Sequence, residues 1–140
     1  MTIKEKLNPK VVLSTLWIFA MFNYIYADLF GVHYNEILQP EFMAEYMTGN
    51  MGAIQITEGF ALTTAILMET AIAMVLLSRV IKYGANRWAN IIVGLLHTVV
   101  VAASLFSGNL TYFYAFFATI EIVCTGFIVW YAWQWANPEA

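Results

Sequence analysis

The placement of the basic residues constrains the fold of this chain more than any other feature. All six Lys and Arg residues fall in two short stretches: Lys4, Lys6 and Lys10, then Arg79, Lys82 and Arg87. The first stretch precedes a long apolar run, and the second separates two further apolar runs. Because basic loops of membrane proteins stay on the cytoplasmic side, both stretches are predicted to face the cytoplasm. Both chain termini would then be cytoplasmic.

Hydropathy predicts four membrane spans, near residues 11–30, 53–79, 88–106 and 110–135. Each is close to the roughly 20 residues that a helix needs to cross a bilayer. The chain is 61% apolar and 11% charged, whereas a soluble domain carries roughly 25% charged residues. Short connections after the second and third spans make successive helices antiparallel. We therefore predict an all-α fold, with residues 1–140 forming a single integral membrane domain built as an antiparallel four-helix bundle.

The connection between the first two spans, residues 31–52, is longer than the others. Pro40 is suited to the first turn of a short helix, which would place Phe42, Met43, Tyr46 and Met47 on one face. We predict that this helix lies at the membrane interface, across the outer mouth of the bundle. It is either a plain connector in the headgroup region or a lid over a cavity, and the sequence leaves both open.

Five ionisable residues lie inside the apolar segments, where such groups are rare and energetically unfavourable: Asp28, Glu58, Glu69, His97 and Glu121. In the second span, Glu58 and Glu69 follow the spacing of one helix face, and each other span carries a comparable polar stripe. A bundle that turns all four stripes inward would enclose a polar-lined cavity. Asp28 and Glu58 could instead reach interfacial water, and Glu69 could be a protonated acid that bonds a neighbouring helix.

His97 and Glu121 are the candidates for catalysis. Both lie roughly 13 to 16 Å below the outer boundary, on neighbouring antiparallel helices, so a hydrogen bond between them is geometrically feasible. Burial disfavours the charged form of Glu121 unless His97 stabilises the anion, and such a pair suits acid/base chemistry. Seven further residues are predicted to bind a ligand: Glu69, Glu58, Asp28, Tyr24, Asn23, Tyr114 and Thr125.

Other classes of site find little support in the sequence. A single cysteine, Cys124, excludes an intramolecular disulfide and a CxxC motif. The chain has no Glu-x-x-His pair of the kind that di-iron bundles use, so neither a metal nor another cofactor is expected. No cluster of basic and aromatic residues indicates nucleic acid as a partner. The expected partners are the lipid bilayer and a small apolar ligand, with homo-oligomer formation left open.

Several strings carry a resemblance that runs from about the first span to the last: Ala65-Ile66-Leu67-Met68-Glu69, Asn86-Arg87-Trp88-Ala89-Asn90 and Trp130-Tyr131-Ala132-Trp133. Together they resemble a family of small four-span prokaryotic membrane proteins described as a domain of unknown function and, more loosely, the DoxX-like proteins. The resemblance implies a multi-pass protein of a prokaryotic cytoplasmic (inner) membrane. It also implies that Glu69 and Glu121 belong to the family pattern, but it implies no biochemical activity.

These observations favour a small membrane protein that binds a small, largely apolar molecule in an intramembrane cavity. Whether the protein also transforms that molecule by acid/base proton transfer stays open. One alternative is a proton- or cation-coupled transporter or channel component. Another is a structural subunit of a membrane complex, in which the polar residues only specify helix pairing.

Overall fold

The computed structural model describes residues 7–52, 54–107 and 110–136. In chain order, these residues form five helices and two short strands: α1 Pro9–Leu38, α2 Pro40–Met47, β1 Asn50–Met51, β2 Ile54–Gln55, α3 Glu58–Val80, α4 Tyr83–Ser104 and α5 Tyr112–Gln134. Lys4 and Lys6 of the first basic stretch, and Ala53 at the start of the second predicted span, lie outside the described residues.

The four long helices, α1, α3, α4 and α5, are each long and apolar enough to cross a membrane. They pack against one another, which confirms the predicted all-α four-helix bundle, and α2 is the predicted short helix. Three helix boundaries differ from the predicted spans by five residues or more, among them the start of α4 at Tyr83 instead of residue 88. Helix α1 continues to Leu38, and α3 begins only at Glu58 because β1 and β2 pair as a small antiparallel hairpin before it.

The helices form a ring in which α1 packs on α3 and α5, while α4 packs closely on α5 and more loosely on α3. Helices α1 and α4 are therefore diagonal partners across the bundle. Helix α4 approaches α5 closely at Gly94, where an added Cβ would stand 2.8 Å from Val129 Cγ2. The fully buried side chains of the core include Leu13, Trp17, Met74 and Ile128.

Side chains cap the first turns of α1 and α3. The side chain of Asn8 accepts a hydrogen bond from Lys10 N at 3.0 Å, and Pro9 occupies the first helical position, where its missing N–H does no harm. The Thr57 hydroxyl accepts from Phe60 N at 3.1 Å. These two caps fix where the first and second long helices begin.

The two ends of the bundle carry different groups. We call the end with α2 and the β1–β2 hairpin the hairpin end, and the opposite end, with Lys10 and Arg87, the basic end. Lys10 Nζ donates a hydrogen bond to Ile81 O, just past α3, at 2.8 Å. Arg87 donates to Ala132 O at 3.3 Å and to Trp133 O at 3.0 Å, in the last turn of α5. Because the C-terminal ends of helices carry partial negative charge, these cations stabilise the packing of the basic end.

Candidate functional site

The basic-end half of the bundle is held together around Asn90, which is fully buried. Its Oδ1 accepts hydrogen bonds from Trp17 Nε1 at 2.8 Å and from Ser78 Oγ at 3.3 Å. Its Nδ2 donates to the backbone and side-chain oxygens of Asn86 at 2.9 and 2.7 Å. Asn86 Nδ2 donates in turn to Ser78 O at 2.6 Å. Because its buried amide and indole groups are paired, this Asn90 network is a structural element that joins α1, α3 and α4.

His97 lies in the core next to this network and is 1% exposed. Its Nδ1 is 3.1 Å from Tyr24 Oη, and its Nε2 is 3.0 Å from Thr70 Oγ1. The Thr70 hydroxyl already donates its proton to Leu67 O at 2.6 Å, so it accepts from His97 Nε2–H. Nδ1 then accepts from the Tyr24 hydroxyl, and these two bonds assign the neutral Nε2–H tautomer to His97.

The hydrogen bond between His97 and Glu121, which was geometrically feasible from the sequence, does not form, since both ring nitrogens of His97 have other partners. The reason is the helical phase of α4. His97 faces α1 and α3, whereas the next residue, Thr98, faces α5, where its hydroxyl lies 2.7 Å from Thr125 Oγ1. Similar depth in the bundle was therefore not enough to bring His97 and Glu121 together.

Glu121 is as well buried as the Asn90 network but is not paired. It is 4% exposed, and its Oε1 is one of two buried side-chain oxygens that lack a hydrogen-bond partner among the described residues; the other is Asn35 Oδ1. The Glu121 carboxyl group lies close enough to Asp28 for the two acids to interact electrostatically. Since nearly all buried polar groups in proteins are hydrogen-bonded, the unpaired oxygen distinguishes Glu121 from the side chains of the Asn90 network.

A cavity of about 810 Å³ lies at the hairpin end. Phe42, Met43 and Tyr46 of α2 form part of its wall. Met47, the fourth residue of the predicted apolar face, is 80% exposed and outside the lining. The second half of α1, the first half of α3 and the connection between α4 and α5 complete it. Its volume is within the roughly 300 to 1,000 Å³ that small-molecule sites span. The polar side chains in its lining include Asp28, Asn35, Thr64, Ser104 and Tyr114.

The predicted ligand-binding residues of α1 and α5 fall in three settings. Asp28 and Tyr114 line the cavity, and Tyr114 Oη lies 2.6 Å from the hydroxyl of another lining residue, Ser104. Tyr24 and Thr125 are core residues that hydrogen-bond to α4. Asn23 is half-buried and donates to a carbonyl of its own helix at 2.9 Å, away from the cavity.

Glu58 and Glu69 are both exposed, and the prediction that their stripe turns inward is wrong. The buried residues of α3 are Ala71, Met74 and Ser78. With 3.6 residues per turn, Glu69 lies on the opposite side of α3 from these three. The prediction failed because lipid tails are as apolar as a protein core, so the hydrophobic pattern of a span does not show which face packs inside.

Two residues that sequence analysis did not select contribute to this part of the molecule. Thr70 fixes the tautomer of His97, and Asn35 brings the second unpaired oxygen to the cavity. Thr70 has no distinguishing signal, because Thr63 and Thr64 also bond to carbonyls of α3. Among the residues that the structure describes, no three His, Cys, Asp or Glu side chains form a group that could hold a metal ion.

No curated protein and no solved structure matches this chain. The looser likeness to DoxX-like proteins is therefore unconfirmed. The sequence model of a family of unknown function, DUF6326, matches residues 1–140, which is the full length given. The four-helix bundle with the Asn90 network in one half and a cavity at the hairpin end is thus the fold of a family of unknown function, and the protein belongs to DUF6326.

Proposed function

We propose that the protein is a multi-pass protein of a prokaryotic cytoplasmic membrane that binds a small, largely apolar molecule in the cavity at the hairpin end. The observation that carries this proposal is a cavity of about 810 Å³ near a buried acid, Glu121, whose Oε1 has no partner among the described residues. Apolar clefts with a few polar anchors are typical small-molecule sites. Asp28 and Tyr114 would be anchors in the wall. The cations at the basic end favour a cytoplasmic position for that end.

If the bound molecule is also transformed, Glu121 is the group best suited to transfer a proton. Its carboxyl group is buried and has a free acceptor oxygen, and buried acids of this kind are common in acid/base catalysis. His97 would act as a positioning residue, since its two hydrogen bonds fix Tyr24 and Thr70. Tyr24 lies within electrostatic reach of Glu121, so His97 would influence Glu121 only through Tyr24.

Proton transport through the bundle has less support than ligand binding. A path from His97 to the basic end would have to pass Trp17 and Asn90, which occupy the core there. An indole N–H donates a hydrogen bond but cannot accept one, whereas a proton relay needs groups that do both. Glu69, which lies next to the His97 partner Thr70 in the sequence, is exposed on the outside of the bundle and therefore lies off such a path.

Native mass spectrometry of protein released gently from detergent tests the binding proposal. We expect wild-type protein to carry a co-purified small molecule. Thr64→Trp should lose it, because the indole would fill the cavity that Thr64 lines. Thr119→Trp is the matched control: Thr119 is also exposed and also bonds a carbonyl one turn back on its own helix, but it is outside the cavity lining.

Retention of the molecule by Thr119→Trp and its loss from Thr64→Trp would support the cavity as its site. Equal retention by both variants, or wild-type protein that neither carries nor takes up any small molecule, would contradict the proposal.

A further inference from the structure

We infer that the ligand of the cavity carries a protonated amine on an apolar body. This inference rests on the proposed function and names the ligand class for the same site. The cavity lining contains one carboxyl group, Asp28, and no Lys, Arg or His within the part of the chain that the structure describes. A bound anion would therefore find no countercharge in the wall, whereas a cation would find one.

The acceptors that a cation needs are present and unused. Asn35 Oδ1 is buried in the same region without a hydrogen-bond partner, and Glu121 Oε1 is likewise unpaired close to Asp28. A primary ammonium group donates three hydrogen bonds and accepts none, which complements a group of carboxyl and amide oxygens. Hydrogen bonds to charged groups are also the stronger ones.

The apolar part of the cavity wall determines the chemical nature of the ligand's body. The lining includes Phe42 and Met43 of α2 and Phe60 and Met68 of α3, and all four are apolar. Such a surface binds a hydrocarbon or aromatic body and offers it no charged partner. The combination of an apolar wall with acidic acceptors fits an amphiphilic amine.

Three probes of nearly equal size test the ligand class: 4-phenylbutylamine, 4-phenylbutanol and 4-phenylbutyrate. Their dissociation constants would be measured with protein in nanodiscs, from the saturation of the ligand-induced rise in unfolding temperature. We expect the amine to bind about tenfold more tightly than the alcohol, and the carboxylate to bind most weakly. Asp28→Asn should reduce the preference for the amine, while Glu58→Gln, which removes an exposed acid near the same end outside the cavity lining, should leave it unchanged.

The outcomes separate the two proposals. Equal affinity for all three probes, or preference for the carboxylate, would overturn the cationic class and leave the cavity as a binding site. Preference for the amine that Glu58→Gln weakens as much as Asp28→Asn would show a diffuse charge effect and would also overturn it. Binding of none of the probes, together with no co-purified molecule, would remove the proposed function itself.

A second inference rests on a different observation, the exposed carboxyl group of Glu69. We propose that α3 pairs with α3 of a second copy of this chain, so that the two Glu69 side chains bond each other. Glu69 is the central residue of α3 and has no hydrogen bond or ion pair with any described residue. A carboxyl group facing lipid at mid-span is unfavourable, so this position calls for a polar partner from another molecule.

A second copy supplies that partner at the correct depth. Copies inserted in the same orientation bring Glu69 to the same level at a two-fold axis, and a protonated carboxyl group both donates and accepts. The nearest described cation along α3, Arg79, lies roughly 15 Å away in rise. Helix α3 is also the least covered span, with 11% of its apolar window buried against 28 to 39% for the others. Ala73, one turn beyond Glu69 and outside the cavity lining, allows close approach of two helices.

Disulfide cross-linking in lipid vesicles tests this pairing in a Cys124→Ser background. Single cysteines would replace Leu62 on α3, Val99 on α4 and Val123 on α5, which are 62%, 64% and 65% exposed. We expect cross-linked dimers from the α3 position and several-fold fewer from the other two. Glu69→Leu should abolish the cross-link, while Glu69→Gln, which still donates and accepts, should keep it. Equal cross-linking at all three positions, none at α3, or no effect of Glu69→Leu would overturn the pairing.

Discussion

Both halves of the bundle contain buried polar side chains, but these side chains differ in their hydrogen bonding. In the basic-end half, Trp17, Asn86 and Asn90 are fully buried and bonded to one another or to the backbone. In the hairpin-end half, Glu121 is almost as buried, yet its Oε1 has no described partner and it lies near a cavity. The comparison teaches that complete hydrogen bonding, more than polarity, separates a structural network from a candidate binding site.

The largest effect on stability is expected from Asn90→Leu. This change leaves Trp17 Nε1 and Asn86 Oδ1 without partners in the core, and each unpaired buried group costs roughly 1 to 3 kcal/mol. We expect the free energy of unfolding to fall by about 3 kcal/mol, measured by denaturant titration in mixed micelles. Asn23→Leu is the control, because Asn23 bonds only its own helix, and its effect should stay within about 0.5 kcal/mol. Equal effects of the two changes would contradict the structural role of the network.

The second largest effect concerns the close packing of α4 on α5. An added Cβ at Gly94 would stand 2.8 Å from Val129 Cγ2 and 3.4 Å from Thr125 O, whereas Gly126 has no atom within 4 Å of such a Cβ. Gly94→Ala should therefore lower the free energy of unfolding by about 1 to 3 kcal/mol through overpacking. Gly126→Ala should raise it by up to about 1 kcal/mol, since alanine favours the helix. The same denaturant titration compares them, and a stabilising Gly94→Ala would be inconsistent with the packing described.

A smaller effect is expected from Tyr24→Phe, which removes one hydrogen bond at the boundary between the two halves. His97 Nδ1 loses its donor, and the free energy of unfolding should fall by about 1 kcal/mol. The change in the His97 ring can be followed separately by the 15N chemical shifts of its two nitrogens. Nε2 should stay protonated because Thr70 still accepts from it. Chemical shifts that show the Nδ1–H tautomer of His97 in the wild-type protein would contradict the assignment.

The smallest effect on stability is expected from Glu121→Gln. Because Oε1 has no partner to lose, the free energy of unfolding should change by less than about 1 kcal/mol. Occupancy by a co-purified molecule, measured by native mass spectrometry, should fall all the same. A loss of stability comparable to that of Asn90→Leu would show that Glu121 stabilises the fold as Asn90 does. It would contradict the contrast between the Asn90 network and the unpaired Glu121.

Much of the fold was predictable because it depends on long apolar runs and on turn residues. The four spans, the antiparallel order and the short helix at Pro40 all follow from length, hydropathy and proline placement. The extension of α1 to Leu38 was not predictable, since residues 31–38 are no longer strongly apolar. The β1–β2 hairpin was not predictable either, because two-residue strands carry no periodic signal.

The burial of two candidate residues was predictable, but the rotation of the helices that carry the candidate residues was not. His97 and Glu121 lie in the core as expected, but Thr98 rather than His97 faces α5. Glu69 shows the same difficulty on α3, where both faces are apolar and only packing decides which turns outward. A sequence gives the spacing of residues along a helix, whereas the rotation of each helix depends on contacts with the other three.

The most direct test of the contrast between the halves is the accessibility of two cysteines on α3 in a Cys124→Ser background. Met68→Cys places a thiol in the cavity lining, and Ser78→Cys places one in the fully buried Asn90 network. A small cationic methanethiosulfonate reagent would be added to protein in nanodiscs and the labelling rates compared. We predict rapid labelling at position 68 and none at position 78 in the folded protein. Equal labelling rates at the two positions, or labelling at position 78 alone, would contradict the account. In that account the cavity at the hairpin end is accessible and the core of the basic end is not.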